Sequence, residues 1–439
     1  MARTDGTDIL VIGAGVLGVT LSYWLSSLFD CRIALADTSQ TAGAHTSSRN
    51  TGVIHRPFYL DPTKKKVFAK TSLLSRPLWE RLARDAGLPW RPIGTLNIAV
   101  EENEVRTLEK YRGWGVGNGM DESEMEMLDG NAVRSREPEV RCRAGLLSKT
   151  DVSVDFGAFT RHLWRVITSR GVKFLGGSRV SSAHERKGGA EVRLESAAGG
   201  ETVSCRLLVN AGGGGALEIA HALGLAQEYA ALNFRGEYWV VEEPFALRVN
   251  SNVYRPPRFP QYPFLDPHFV VRADGSRQIG PNAVIVPGPY VYSGVGLLEM
   301  GAFLRRPVIP RARLLMNRDF LALLAGEWRS SLSKSAMCER VKKFVPGLST
   351  AMLRRRAVFG VRSSVVDSSG FVPEALLLKG EASAHIINFN SPGATGAPSY
   401  SAMVVDELRS AGMLDGFGPR NTPEFIAGWE FDAASGRAS

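Results

Sequence analysis

The chain is predicted to be an α/β protein built on a Rossmann-like domain with a mostly parallel sheet. Three observations near the N-terminus predict it. A β-branched apolar run, Asp8-Ile9-Leu10-Val11-Ile12, leads straight into the glycine turn Gly13-Ala14-Gly15-Val16-Leu17-Gly18. A helical stripe follows, with Leu17, Leu21, Trp24, Leu25 and Leu28 on one face. A second strand, Arg32-Ile33-Ala34-Leu35-Ala36, then ends on an acid, Asp37, about 20 residues past the last glycine.

Each residue type has a task in that unit. Gly13 permits the tight turn, Gly15 lets a pyrophosphate approach the backbone, and Gly18 allows close contact between helix and strand. The N–H groups at the helix start, around Val16 and Leu17, face the phosphates, and Asp37 with Thr38 meets the ribose. A carboxylate at this point would repel the 2′-phosphate of NADP.

The next run, TAGAHTSSRNTGVIH over residues 41–55, is made of small and polar residues. Such side chains let the backbone come close to a flavin. His45, Thr46, Ser48, Arg49, Asn50, Thr51, Gly52 and Val53 are therefore expected along the cofactor. No second glycine fingerprint follows a mid-chain strand. Leu207-Leu208-Val209-Asn210-Ala211-Gly212-Gly213 instead resembles the strand and turn that close an FAD-binding sheet. The cofactor is expected to be FAD, with Ala211, Gly212 and Gly213 beside it.

Composition bounds the alternatives. The 439 residues suggest two intimately packed domains, and 44% hydrophobic with 22% charged residues is an ordinary globular balance. Cys31, Cys142, Cys205 and Cys338 stand apart, so neither a disulfide scaffold nor a metal site is expected. No apolar run is long enough to span a membrane, and the first strand starts within seven residues of Met1, which predicts a cytoplasmic protein without a leader. The net charge of +9 gathers partly in Lys64-Lys65-Lys66, Lys342-Lys343 and Arg354-Arg355-Arg356. No nucleic-acid motif accompanies these clusters, so no nucleic-acid partner is expected. They read as solvated faces, with peripheral contact to an anionic membrane as the alternative.

Ordered segments further along resemble one family. They are Ser48-Arg49-Asn50-Thr51-Gly52-Val53-Ile54-His55, Phe234-Arg235-Gly236-Glu237-Tyr238, Pro263-Phe264-Leu265 with His268-Phe269, and Ile279-Gly280-Pro281-Asn282-Ala283. Ser331-Leu332-Ser333-Lys334, Phe359-Gly360-Val361-Arg362 and Asn390-Ser391-Pro392-Gly393-Ala394-Thr395 follow. From about Asp8 to Leu408 the chain resembles the D-amino-acid-oxidase superfamily, and within it the FAD-dependent L-2-hydroxyglutarate oxidase/dehydrogenase family.

The resemblance implies a discontinuous FAD-binding domain over 1–90, 140–230 and 356–415. A discontinuous α+β substrate domain, built on an antiparallel sheet, would take 91–139 and 231–355, leaving 416–439 as a peripheral tail. Thr95 to Val100 and Glu237 to Val241 alternate like strands, and 299–345 reads as helices interrupted near Pro307, Pro310 and Gly326.

It also implies oxidation of a small L-2-hydroxy acid to the 2-oxo acid. Flavin would accept the hydride, and oxygen or a quinone the electrons. Arg362 is the expected clamp for the substrate carboxylate, because a guanidinium can grip it through two parallel hydrogen bonds. Arg235 is a second, weaker candidate. His55 is the expected base and His268 its rival, histidine being the side chain whose charge ordinarily changes nearest neutral pH. His45 and His55 are also the candidates for covalent flavin attachment. At the other end of the chain, the turn Pro392-Gly393-Ala394-Thr395 would open a helix whose N–H groups face the reduced flavin. Two alternatives stay open: an amine or amino-acid oxidase of the same superfamily, and a flavin-binding partner protein without turnover.

The chain departs from the family after His55, where it reads Arg56-Pro57-Phe58-Tyr59-Leu60 before a lysine run. It also has Asp266-Pro267 before His268, and an unusual Gly212 to Gly215 run. Arg56 is expected to add a cation near the site and so to favour a more acidic or differently shaped substrate.

Overall fold

A computed structural model describes residues 6–297, 299–301 and 313–437; Pro307 and Pro310 lie outside them. The strand Ile9–Ile12 is wholly buried and sits in the middle of a six-stranded sheet. Lys173–Gly176, Ile33–Asp37, Ile9–Ile12, Leu207–Asn210 and Ser383–Ile387 run parallel in that order, and Leu376–Lys379 closes the edge antiparallel. Strands covered on both faces have no polar side to show, which is why they read as unbroken apolar runs.

One face of this sheet packs on helices Val16–Leu28, Lys66–Ala86, Phe156–Ser169 and Gly393–Ser410, whose Trp24, Trp79, Phe159 and Val405 share one core. The other face is covered by a three-stranded antiparallel layer, Arg179–Arg186, Gly189–Ser196 and Gly199–Cys205. There Val192, Leu194 and Val203 meet Leu10, Ile12 and Leu208.

The remaining body carries an eight-stranded sheet, expected to be antiparallel but in fact mixed: Asn252–Tyr254 runs parallel to Thr95–Ala99, while its other pairings are antiparallel. These two strands come from distant parts of the chain, so no hairpin constrains their direction. Its strand Ala144–Ser148 comes from inside the interval 140–230, and a separate antiparallel sheet pairs Ala230–Gly236 with Gly360–Asp367. Strand pairing thus cuts across the sequence intervals named above.

The tail expected to be peripheral is not. Trp429 is fully buried, stacks edge-on with Tyr23 and Trp79, and donates its indole N–H to Leu78 O at 2.9 Å. Burying so large a ring outweighs the polar composition around it. Helices Arg318–Leu332 and Lys334–Lys342 fall where helices were expected, capped by Asn317 and Ser333, but Gly326 does not punctuate them: it sits inside the first helix. All four cysteines are free thiols, and no helix of the described residues is long and apolar enough to cross a membrane.

Candidate active site

Two glycines of the turn, Gly13 and Gly18, have no space for a side chain. A Cβ on Gly18 would lie 1.8 Å from Gly13 O, and one on Gly13, whose φ is +99°, would lie 2.4 Å from Ala211 O. At Gly15 the nearest atom is Ser47 Oγ, 3.2 Å away. Gly15 gives the helix no side-chain cap, and the Val16 N–H donates to Ser47 Oγ at 2.8 Å. Asp37 lies across the turn and accepts from Ala14 N at 2.6 Å and from Ser39 N at 2.7 Å. Glycines at 13, 15 and 18 and a carboxylate in register fit the adenosine diphosphate half of FAD, although the Val16 N–H expected to face a phosphate is bonded to Ser47 in this structure.

The run from His45 to Val53 is held largely by contacts to other parts of the chain. Its His45 ring touches Tyr292 OH at 2.8 Å through Nδ1, and Thr38 Oγ1 and Ser39 Oγ through Nε2. Thr46 donates to Val361 O, Ser48 to Gly43 O, and Arg49 lies over the Tyr292 ring at 4.2 Å. Asn50 accepts from Gly52 N, and Thr51 Oγ1 meets Tyr238 OH at 2.8 Å. Arg272 ties down Asn50 O and Thr51 O from the far sheet.

Sheet register then delivers the next residue to a partner. Val53 pairs with Ser153 and Ile54 with Val152, so His55 comes opposite Asp151. His55 Nδ1 lies 3.0 Å from Asp151 Oδ2, with Asp151 fully buried. The carboxylate accepts, so Nδ1 carries a hydrogen, and in the neutral imidazole the lone pair is then on Nε2. Ser148 Oγ and Arg56 N donate to the other Asp151 oxygen. The helix Gly393–Ser410, with Pro392 giving no side-chain cap, starts beside His55: Thr395 Oγ1 accepts from His55 N and donates to Val53 O, both at 3.3 Å. Thus Pro392, Gly393, Ala394 and Thr395 are brought next to the 45–55 run. Gly212 and Gly213 follow Ala211 at the end of the strand next to Ile9–Ile12.

Arg362 donates to the carbonyl of Pro263, and burial lowers its pKa, opposed by the nearby phenols of Tyr238 and Tyr59. Lys65 stands in the same field. Burial first, and Arg362 second, pull its ammonium down to about 8, while Glu374 pulls the other way. Burial in turn raises the Glu374 carboxyl to about 7.

Two expected groups are committed elsewhere. Arg235 is buried and bonded to Glu237 at 3.0 and 2.9 Å and to Gly294 O at 2.7 Å, so its donors brace the sheet rather than a substrate. Arg56 does not add a free cation, because Glu124 neutralises it at 2.8 Å. The Asp266 departure is likewise an ion pair, with Arg340 at 2.7 Å. His268 stacks on Tyr254 at 3.9 Å, and burial drives its imidazole down to about 3, which leaves it neutral and a weak proton acceptor. Asp151, Tyr254 and Arg272 escape sequence reasoning, since no local pattern marks them and only long-range pairing brings them to the site; Tyr59 and Lys65 lie in the departing segment after His55, but nothing there marks their roles.

The fold and the FAD cradle define a flavin-dependent oxidoreductase. The chain belongs to the FAD dependent oxidoreductase (DAO) family, whose profile matches residues 8–407. It is 27% identical to the L-2-hydroxyglutarate dehydrogenase of Escherichia coli strain K12 over 408 residues, 92% of this chain and 93% of that one. It is 24% identical to the human mitochondrial L-2-hydroxyglutarate dehydrogenase over 428 residues, 93% and 90% of the two chains. Among solved structures, L-α-glycerophosphate oxidase from Mycoplasma pneumoniae with FAD bound superposes with a TM-score of 0.72 at 21% identity, covering 97% of this chain and 99% of that one. Glycine oxidase from Geobacillus kaustophilus gives 0.69 at 16% identity, covering 93% and 95%.

Proposed function

We propose that the protein oxidises an L-2-hydroxy acid to the 2-oxo acid, with oxygen or a quinone as final electron acceptor. L-2-hydroxyglutarate, named for the curated relatives, is the reference compound. The observation that carries this reading is the His55–Asp151 pair, with His55 lining a small cavity whose Tyr59 wall stands in the field of Arg362. A 2-hydroxy acid needs a base and a carboxylate clamp, and His55 and Arg362 both act on Tyr59.

Arg362 holds the substrate carboxylate and so orients the hydroxyl toward His55. Asp151, a positioning residue, fixes the imidazole with Nε2 free and stabilises the cation formed when Nε2 takes the hydroxyl proton. FAD, when bound along Gly13, Gly15, Gly18, Asp37 and the 45–53 run, supplies the hydride acceptor.

Anaerobic addition of L-2-hydroxy acids and L-2-amino acids to the FAD-loaded protein tests the reading. Bleaching of the flavin by a hydroxy acid is expected. Bleaching by amino acids alone would replace this reading with an amino-acid oxidase, and no bleaching with either would favour a protein without turnover. Asp151→Asn is expected to lower kcat by about a hundredfold or more, with KM nearly unchanged.

A further inference from the structure

A run of four glycines, Gly212 to Gly215, joins the central strand Leu207–Asn210 to the helix Ala216–Ala222. Four residues without Cβ atoms do not hold one backbone shape by themselves. Yet the start of this run is packed on the cofactor turn. Ala211 N donates to Ile12 O at 2.8 Å, and a Cβ on Gly13 would lie 2.9 Å from Gly212 Cα.

One buried side chain spans the run. Asn210 Oδ1 accepts from Gly212 N at 3.1 Å, and Asn210 Nδ2 donates to Ala216 O at 2.8 Å. A backbone N–H only donates and a carbonyl only accepts, so the amide has a single orientation. Strand register sets His385 directly beside Asn210 in the parallel pair. Asn210 Nδ2 lies 2.9 Å from His385 Nδ1. A donor at that point makes Nδ1 the acceptor, which puts the hydrogen of the neutral imidazole on Nε2. Nε2 donates to Ser383 Oγ at 2.9 Å, and Ser383 in turn hydrogen-bonds the Glu185 carboxylate.

Every donor in this chain points the same way, from Gly212 through Asn210, His385 and Ser383 to Glu185. Asn210, His385 and Ser383 are fully buried. A buried network with each member satisfied fixes one arrangement. Burial pulls the imidazole down to about 4, against the pull of Glu185, and so keeps it neutral at ordinary pH.

We propose that Asn210 and His385 are positioning residues for FAD, holding the four-glycine run against the Gly13 turn and so fixing the backbone along which the cofactor binds. The feature that decides it is one amide clamping both ends of the run, itself oriented by one histidine. The role does not depend on which acid the flavin oxidises.

The test uses the full-length protein stripped of flavin and titrated with FAD. His385→Leu fills the space but removes the acceptor, whereas His385→Asn opens space but keeps an oxygen near the place of Nδ1. The Kd for FAD is expected to rise about tenfold or more in His385→Leu and to stay within about threefold of the parent in His385→Asn. A residue that only packs the sheet would give the opposite order. That order, or a His385→Leu Kd within about twofold of the parent, overturns the proposal. Thermal unfolding of the flavin-free variants shows whether they fold. Should His385→Leu fail to do so, Ser383→Ala decides. Without the Ser383 hydroxyl the imidazole hydrogen is free to move to Nδ1, where it opposes the Asn210 amide. A Kd raised about threefold or more is then expected, and an unchanged Kd counts against the proposal. Nitrogen NMR of the imidazoles gives a readout without FAD: His385 is expected to carry its hydrogen on Nε2 at neutral pH, and an Nδ1–H form would break the chain at its centre.

Discussion

Lys65 shows how a single charge tunes the site. Its ammonium, pulled to about 8 by burial and then by Arg362, adds positive potential beside the carboxylate clamp. That potential is fully present below pH 8 and is lost as pH rises through this value. A fall of kcat/KM on the alkaline side with a midpoint near 8 is therefore expected for any carboxylate substrate. Lys65→Met should lower the plateau and remove that limb, and Lys65→Arg should push it beyond the measurable range. A limb that stays in place in Lys65→Met would belong to another group. Nothing local marks Lys65 in the sequence, where it is the middle of three lysines that read as a solvated face. It matters only because the helix Lys66–Ala86 begins there and points that residue toward Arg362 and Glu374.

At the level of elements, the glycine turn and the helix it opens are the part most open to sequence reading, because strand, turn and helix are continuous in the chain. Their tolerance to substitution differs in a checkable way. Gly18→Ala puts a methyl 1.8 Å from backbone that cannot yield, so helix and strand must part. The variant is expected to purify without flavin or to fail to fold. Gly15→Ala meets only the Ser47 hydroxyl, at 3.2 Å. It is expected to fold and to bind FAD about ten- to a hundredfold more weakly, through lost close approach of the pyrophosphate, as read from flavin titration. Unchanged affinity would remove Gly15 from the cofactor contact. The short strand Val53–Ile54 is the opposite case: two residues long, it is set by its register with Val152–Val154, roughly a hundred residues away, and no periodicity announces it.

Across the whole molecule, the C-terminal segment acts as a strap. Trp429 and Phe431 pack against Trp24, and Trp429 also against Trp79, in the core that supports the first helix of the cofactor unit. Trp429→Ala is expected to cost about 3–5 kcal/mol of stability and to lower the melting temperature by several degrees or more. Thermal unfolding with and without added FAD measures this, and a melting point within a degree of the parent would make the strap dispensable. Composition hides that role, since small and polar residues surround the two rings.

The local sequence was sufficient for the dinucleotide unit: the chemistry of Gly13, Gly15, Gly18 and Asp37 depends on neighbours within one βαβ stretch, and helix and strand periodicities survive in any context. It also marked His55 and Arg362 for attention, through the segments that resemble a known family. Pairing across long sequence separations did the rest. It placed Asp151 against His55, spent Arg56 on Glu124 and set Lys65 in the opposing fields of Arg362 and Glu374, whereas Arg235 is spent within its own segment, on Glu237. Whether a cation is available to a substrate depends on which acid the folded chain brings within reach, and no single stretch of sequence carries that distance.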